Sequence, residues 1–467
     1  MSVPRRNAEF DRLVTVAEAH GAGGRFEEAE AAYCAALAIL PSHPSVLHNL
    51  GVIAARRGDL RAAIAYLDAA LLGDPRYASA HYNRAVVLET MGLRDKAIEA
   101  FARALAYDPE FYAAHRAIGL CLLADGNCGR ALDHFARTYE LRRSEDRTGI
   151  AAKSLRSANR TKLRHDAEQF RYLARVGRDP RRFAALASSY ETVGRDFAAS
   201  VTPLSEADLV LLGESYNTAI HLAEAPEISE DLLGPQPGRD ALVKAFRGRR
   251  AGAVYFDNLL SPPAFASLRR YLLESTIWHD FSHVAGFVAT YLEDGLACPL
   301  LLQIANELRR VFPELLGPHP LSQAWAFKGM DPTTAIDVHG DDAAISLNFW
   351  MTPDEANRDV DRGGLAVCLA PPPPGWAPTG YEHDRQRSVH FLEQCGQDML
   401  FVPYRENRAV LFASRLLHYS DAPNFVEGYE NHRISVTLLF GRALTTDGAQ
   451  REEPAEKFSG REGTPCP

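Results

Sequence analysis

The chain has 467 residues, of which 46% are hydrophobic and 24% charged, a composition typical of a globular protein with a sizeable core. Its formal net charge is −9, and the region 251–467 holds 17 basic and 28 acidic residues, a balance that argues against nucleic acid as the partner of that region. No apolar run approaches the roughly 18 residues that span a bilayer, and the N-terminal segment lacks the apolar core of a secretory signal.

The number and placement of the cysteines indicate the cellular compartment of the protein. There are seven, an odd number, and they are scattered along the chain. Such a set argues against a framework of disulfide bonds and favours a reducing environment. We therefore expect a cytoplasmic protein with no membrane-spanning segment.

Residues 10–145 repeat with a period of 34. Glycine, alanine, a large apolar residue, a second alanine and proline recur in one register. The columns are Gly24, Gly58, Gly92 and Gly126; Ala29, Ala63, Ala97 and Ala131; Tyr33, Leu67, Phe101 and Phe135; Ala36, Ala70 and Ala104; and Pro41, Pro75 and Pro109. The pattern resembles the tetratricopeptide repeat.

This resemblance implies an N-terminal α-solenoid of four helix-turn-helix units, at 10–43, 44–77, 78–111 and 112–145. The small alanine lets the two helices of a unit approach, and the proline ends the second helix. In the fourth unit Thr138 takes the second alanine column and Arg143 takes the proline column, as in a terminal repeat.

Stacked repeats form a concave groove, which favours a protein or peptide partner. Candidate groove residues are Asn49, Asn83, Arg84 and His115, which fall on the first helices of their units. The alternative is that the repeats only scaffold the chain or mediate self-association.

Residues 146–250 are predicted to be a helical connector. Leu163, Ala167, Phe170 and Leu173 follow a helical spacing. The arginines around them form either the solvated face of this helix or a patch for an acidic partner.

The region 251–442 contains the candidate catalytic and ligand-binding residues. Two helices, at 263–275 and 296–312, are expected to flank a set of β-strands. The sequence His339-Gly-Asp341 precedes one strand, His418 follows another, and Arg433-Ile-Ser435 begins a third. Two histidines and one carboxylate form the facial set that holds non-haem Fe(II) and leaves coordination positions open.

Alternation along the strands places further side chains. Arg433 and Ser435 share one face of their strand, where the planar guanidinium fork could bind a carboxylate with help from the hydroxyl. Asn348 and Trp350 share a face of the strand after Asp341, where they either line the same pocket or only pack. Lys328 could pair with a carboxylate there or be structural.

The order of these motifs, with Val254-Tyr-Phe-Asp-Asn-Leu-Leu-Ser-Pro262 and Gly363-Gly-Leu365, resembles the Fe(II)/2-oxoglutarate-dependent oxygenases of the prolyl-hydroxylase type. The resemblance implies a double-stranded β-helix, or jelly roll, over 251–442. It implies iron held by His339, Asp341 and His418, and 2-oxoglutarate held by Arg433 with Ser435. Ascorbate would serve as the reductant.

The predicted fold class is therefore α+β and multidomain, with a disordered tail over 443–467. We expect a dioxygenase that uses O2 to hydroxylate a peptide or protein held with help from the solenoid. One alternative is a small-molecule hydroxylase of a biosynthetic pathway. The other is a non-catalytic repeat adaptor whose barrel is inert.

Overall fold

The computed structural model describes residues 3–143, 155–235, 238–248, 252–282, 286–331, 335–373 and 385–441. The predicted tail over 443–467 lies outside these ranges. The chain forms two compact units, Met1–Cys121 and Leu122–Leu444.

Paired helices build the first unit. They are α1 (Val3–Ala22), α2 (Phe26–Ile39), α3 (Pro44–Arg56), α4 (Leu60–Gly73), α5 (Ala78–Thr90) and α6 (Arg94–Tyr107), followed by α7 (Tyr112–Ala124) across the unit boundary. Helix α1 packs on α2, α3 on α4 and α5 on α6. Gly24, Gly58 and Gly92 occupy the turn within each pair, at φ of 71°, 81° and 77°. The glycine column is thus a backbone requirement, because residues with a Cβ are strained at this φ.

The alanine and large-residue columns form the core of each pair. Ala29, Ala63 and Ala97 are fully buried, and so are Leu67 and Phe101. Because these alanines are fully buried, they lie at the contact between the two helices of each pair, as the sequence spacing predicts.

The second unit contains eight helices among its described residues. They are α8 (Cys128–Arg143), α9 (Arg160–Arg175), α10 (Pro180–Gly194), α11 (Glu206–Leu212), α12 (Arg239–Phe246), α13 (Pro262–Glu274), α14 (Pro299–Val311) and α15 (Arg385–Cys395). Helix α8 is the second helix of the fourth predicted repeat. Its Arg142 and Arg143 form ion pairs with Glu293 (3.2 Å) and Asp294 (3.1 Å), so α8 packs within the C-terminal unit.

Three antiparallel sheets account for the strands. These are β1 (Ser157–Ala158), β2 (Thr202–Pro203), β3 (Ala253–Phe256), β4 (Phe287–Tyr291), β5 (Leu321–Gly329), β6 (Ile345–Trp350), β7 (Leu365–Cys368), β8 (Met399–Val402), β9 (Ala409–Ala413), β10 (His418–Ser420) and β11 (Ile434–Phe440). Strands β1 and β2 pair alone. The large sheet has the order β3-β9-β6-β11-β5-β4, and the small sheet has the order β10-β7-β8.

A shared apolar core joins the large sheet to the small one. Trp350, Val410 and Phe412 come from the large sheet, and Val367 and Val402 come from the small one. All five side chains are at most 2% exposed. The two sheets therefore face each other, and alternation along each strand fixes which residues enter the space between them.

The opposite face of the large sheet carries a buried polar network. Lys328 donates to the Tyr429 hydroxyl (2.8 Å) and lies 3.3 Å from His165 Nε2. Its Nζ also lies 4.3 Å from the ring centre of Trp278. His165 Nδ1 is 2.9 Å from Asp166 Oδ1, and burial lowers the pKa of His165 well below its usual value. A neutral His165 thus donates to Asp166 and accepts from Lys328, which fastens α9 to β5.

Lys328 gives a pH-dependent prediction. Burial lowers its pKa well below the ordinary value of 10.5, so the unfolded chain binds more protons at this group than the folded chain does. Stability rises with pH wherever the unfolded state binds more protons. Relative to Lys328→Met, the wild type is therefore expected to gain unfolding free energy as the pH rises from neutrality toward 10.5.

Urea unfolding at about pH 7.5 and about pH 9.5 measures this difference. Tryptophan fluorescence is a suitable signal, since all four tryptophans lie after residue 270. Lys244→Met at an exposed position is the matched control and should leave the pH dependence unchanged. Equal pH slopes for the wild type and Lys328→Met would mean that Lys328 is charged in the folded protein.

Candidate metal centre

Strand pairing brings the distant residues of the predicted site together. His339 and His418 are directly paired, with His339 N–H donating to His418 O (3.0 Å) and His418 N–H to His339 O (2.9 Å). Asp341 N–H donates to Ser414 O (2.8 Å) in the turn after β9. The segment between β5 and β6 therefore lies along the segment that leads into β10, and the three side chains share one space.

Both imidazoles are oriented by backbone carbonyls. His339 Nδ1 lies 2.8 Å from Asp337 O, and His418 Nδ1 lies 3.0 Å from Leu416 O. A Nδ1–H that donates to a carbonyl leaves Nε2 as the ligand atom. Nε2 of His339 is 3.7 Å from Asp341 Oδ1, and Nε2 of His418 is 3.6 Å from Asp341 Oδ2.

The three ligand atoms suit a single metal ion. They all lie within 4.8 Å of one another, and this is the group of three potential ligands found among the described residues. Two atoms that each bond a metal at about 2.1 Å lie about 3 to 4 Å apart, which matches the distances to Asp341. Ser346 Oγ donates to Asp341 Oδ2 (2.6 Å) and lies 2.8 Å from Ser414 Oγ. The hydrogen bond from Ser346 therefore fixes the orientation of the Asp341 carboxylate.

Arg433 lies between the same two sheets and is 3% exposed. Its Nη2 lies 3.3 Å from Gly364 O, and its Nε has no hydrogen-bond partner among the described residues. Burial lowers the pKa of Arg433 to about 10, an effect that Tyr404 and Asp421 offset only in part. The guanidinium therefore remains charged at neutral pH, and it forms no ion pair among the described residues.

Further buried polar atoms lie on the face of the large sheet that is turned toward the small sheet, its inner face. The strand register pairs Ser435 with Trp350 and Thr437 with Asn348, so these side chains share the inner face with Arg433. Asn348 Nδ2 donates to Thr437 Oγ1 (2.8 Å), whereas Asn348 Oδ1 and Trp350 Nε1 are buried without a partner among the described residues. The inner face thus offers donors and an acceptor to a polar ligand.

Sequence reasoning missed the two serines beside Asp341 and left the role of Lys328 open. Ser346 and Ser414 were not singled out, although Ser346 shares the alternation of Asn348 and Trp350. Lys328 was considered as a partner for a carboxylate in the pocket. The register pairs Lys328 with Ile434, whose side chain points away from that of Arg433. Lys328 therefore belongs to the buried polar network on the opposite face of the large sheet.

The candidate groove residues of the first unit are engaged within that unit. Asn49 Nδ2 donates to the Tyr33 hydroxyl (2.9 Å), and Asn83 Nδ2 lies 2.6 Å from His48 Nε2. Arg84 forms an ion pair with Asp68 (2.6 Å). These contacts link neighbouring helix pairs, so each of these side chains has a structural role in the stack.

Comparisons with known proteins define the class of the N-terminal region. The family model of the tetratricopeptide repeat matches residues 16–79, 48–93 and 82–146. The N-terminal region therefore carries tetratricopeptide repeats, as the 34-residue period predicts. The family matches end at residue 146, so the function of the C-terminal unit is inferred from its geometry.

Several solved structures are similar to part of the chain. MamA from Desulfovibrio magneticus is 24% identical, over 30% of this chain and 78% of that one, with a TM-score of 0.28. YrrB, a tetratricopeptide protein with an unusual peptide-binding site, is 19% identical over 27% and 64%, with a TM-score of 0.25. An O-GlcNAc transferase mutant from Thermobaculum terrenum is 26% identical over 33% and 31%, with a TM-score of 0.29. The search of curated proteins finds no match.

Within the described ranges, no helix combines the length and apolarity needed to cross a membrane.

Proposed function

We propose that the C-terminal unit is an Fe(II)- and 2-oxoglutarate-dependent oxygenase of the prolyl-hydroxylase type. One observation carries the proposal. The cluster of two histidines and one aspartate is hydrogen-bonded to Ser346 on β6, the strand whose Trp350 lies beside Arg433, and Arg433 is a buried cation with no ion pair among the described residues. A set of three metal ligands alone would fit many functions, but such a set together with a buried guanidinium fits a reaction that uses an acidic cosubstrate.

The donor set fits iron. His339, Asp341 and His418 would supply two neutral imidazoles and one carboxylate, and such a set occupies one side of the ion and leaves positions open. Ser346 would keep Asp341 in place through its hydrogen bond (2.6 Å). The carbonyls of Asp337 and Leu416 would keep both imidazoles in the ligand orientation.

The inner face also fits 2-oxoglutarate. Arg433 would bind the far carboxylate, because the guanidinium fork offers parallel donors to two oxygens. Ser435 would add a hydroxyl, and Asn348 and Trp350 would line the space between Arg433 and the metal ligands. Ser346 and Trp350 are four residues apart on β6, which corresponds to about 13 Å along the strand. That length accommodates a five-carbon dicarboxylate together with the side chains that reach it.

The chemistry divides between the bound groups and the protein. Iron with 2-oxoglutarate and O2 would supply the oxidising power to hydroxylate an unactivated C–H bond, with the cosubstrate converted to succinate and carbon dioxide and ascorbate as reductant. The protein's residues would hold the ligands, neutralise the cosubstrate at Arg433 and exclude water through the apolar core around Val410 and Phe412. Two facing antiparallel sheets suit the proposed jelly roll.

The repeats support a peptide or protein as the substrate. Tetratricopeptide repeats suggest a role in protein interactions, and the same polypeptide carries the candidate metal centre. We therefore propose that the repeat region helps to hold the protein whose side chain is hydroxylated.

Succinate formation tests the activity without knowledge of the substrate. Purified full-length protein is incubated with Fe(II), ascorbate, O2 and 2-oxoglutarate, and His339→Ala is the control. Slow succinate formation is expected in the wild type, and it should be lost in His339→Ala or after iron is removed with a chelator.

A binding measurement makes a negative result informative. Under anaerobic conditions, 2-oxoglutarate added to the Fe(II)-loaded protein is expected to give a visible absorption band in the wild type and none in His339→Ala. Absence of both the band and succinate formation would overturn the proposal. Partner binding by the repeats would then be the remaining candidate function.

A further inference from the structure

Two cysteines lie side by side in the C-terminal unit. The Sγ atoms of Cys368 and Cys395 are 2.6 Å apart, nearer to the ~2.05 Å of a disulfide bond than to a van der Waals contact between two thiols. Both side chains are buried, at 0% and 9% exposure. Only a small shift of the two side chains would bring the sulfur atoms to the distance of a disulfide bond.

Strand register brings the two cysteines together. Cys368 ends β7 and is the register partner of Met399, the first residue of β8. Cys395 ends α15, and a single 3-10 turn, Gly396–Asp398, joins it to β8. Leu369 N–H donates to Asp398 O (2.8 Å), which closes the turn over the end of β7. The approach of the two sulfurs is therefore built into the β7–β8 pairing.

The surroundings favour a covalent link over a metal. The pair packs with Leu417, Phe391 and Leu392 in an apolar cluster. Among the described residues, neither cysteine belongs to a group of three potential metal ligands. Two sulfurs alone do not complete the four-ligand set of a structural zinc site, whereas two adjacent thiols can oxidise to a disulfide.

We propose that Cys368 and Cys395 form a reversible disulfide bond that fastens helix α15 to strand β7. With hydrogen peroxide as the oxidant, the thiolate of Cys395, the more exposed of the two, attacks a peroxide oxygen. The O–O bond breaks, hydroxide leaves and a sulfenic acid forms. The sulfur of Cys368 then attacks the Cys395 sulfur, the S–O bond breaks, and the leaving hydroxide takes up the Cys368 proton. Two thiols are oxidised and one peroxide is reduced to two waters.

The rate of this oxidation should depend on pH. Burial, together with the neighbouring Cys368 thiol, raises the pKa of Cys395 to about 12. The reactive thiolate is therefore scarce at neutral pH, and its population increases about tenfold per pH unit below that pKa. We expect slow formation of the bond at pH 7 and faster formation at alkaline pH.

The bond would lie next to the candidate metal centre. Cys368 N–H donates to Leu417 O (2.8 Å), and Val367 is the register partner of His418. The disulfide would therefore brace the strand that pairs with β10, on which His418 lies. A dithiol reductant reverses the link by thiol–disulfide exchange.

Peptide mapping of the full-length protein tests the proposal. The reduced protein is treated with hydrogen peroxide, remaining thiols are alkylated after unfolding, and the chain is cleaved by trypsin without reduction. Cleavage after arginine places Cys368 in Gly363–Arg385 and Cys395 in Ser388–Arg405. We expect these two peptides to be recovered joined, at their summed mass less two hydrogen atoms, and to separate on reduction.

Variants identify the pair. Cys395→Ser and Cys368→Ser should each lose the joined peptide, whereas Cys34→Ser, at an exposed position of the first unit, should retain it. The wild-type experiment is decisive even where a variant fails to fold. Recovery of both peptides separately with alkylated cysteines, or linked to other cysteines, would overturn the proposal.

Discussion

Replacing Asp341 with asparagine is expected to lower Fe(II)-dependent succinate formation by more than about 100-fold. Changing groups that only support metal ligands lowers metal affinity or activity about 10- to 100-fold, and Asp341 would itself be a ligand. Its carboxylate lies 3.7 Å and 3.6 Å from the two Nε2 atoms. An amide of the same shape removes the negative charge and leaves two neutral imidazoles, which hold iron weakly.

The neighbouring residue supplies the control. Asp342→Asn makes the same chemical change one position later, where the side chain is exposed, and it should retain iron binding and activity. Equilibrium dialysis against Fe(II) gives the affinity, and succinate gives the turnover. Unchanged iron affinity in Asp341→Asn would remove Asp341 from the ligand set, even if activity fell.

Replacing Arg433 with glutamine is expected to raise the 2-oxoglutarate concentration needed for half-maximal turnover by about 10- to 100-fold. A hydrogen bond to a charged group contributes about 1.5–3 kcal/mol, and each 1.4 kcal/mol is about tenfold in affinity. Glutamine keeps a hydrogen-bond donor but loses the charge and the fork. Iron affinity without cosubstrate should be unchanged, because Arg433 is not part of the cluster.

Arg415→Gln is the matched control for this variant. Arg415 is exposed and lies three residues before His418, so its loss changes the charge near the centre without changing the pocket. The cosubstrate requirement should remain that of the wild type. If Arg433→Gln left the 2-oxoglutarate requirement unaltered while lowering stability, Arg433 would be a buried structural cation and the anion assignment would be wrong.

Periodic features of the chain were the most predictable from sequence. Gly24, Gly58 and Gly92 recur every 34 residues because each occupies a turn with positive φ, and Ala63 recurs because two helices touch there. The 34-residue period therefore follows from the backbone geometry of the repeated turns and helix contacts. The tetratricopeptide prediction is confirmed by the family matches. Alternation likewise predicts that Arg433 and Ser435 share a face, and the register pairs Ser435 with Trp350 of β6.

Features that depend on long-range pairing could not be predicted in the same way. Alternation along β5 alone does not say which face turns toward the small sheet, and so Lys328 could be placed either in the pocket or in the buried polar network on the opposite face. The contact between Cys368 and Cys395 depends on the β7–β8 register, which no local pattern reveals. Helix α8 has the spacing of a repeat, yet its Arg142 and Arg143 bind carboxylates of the C-terminal unit.

The direct pairing of His339 with His418 also has a consequence for biosynthesis. His339 and Asp341 emerge from the ribosome well before His418, and the two segments can pair only after the intervening strands have emerged. Contacts between residues so distant in sequence form late in folding. The nascent chain therefore lacks the complete set of candidate metal ligands through most of its synthesis, and a metal ion could bind all three only after His418 has emerged and paired with His339.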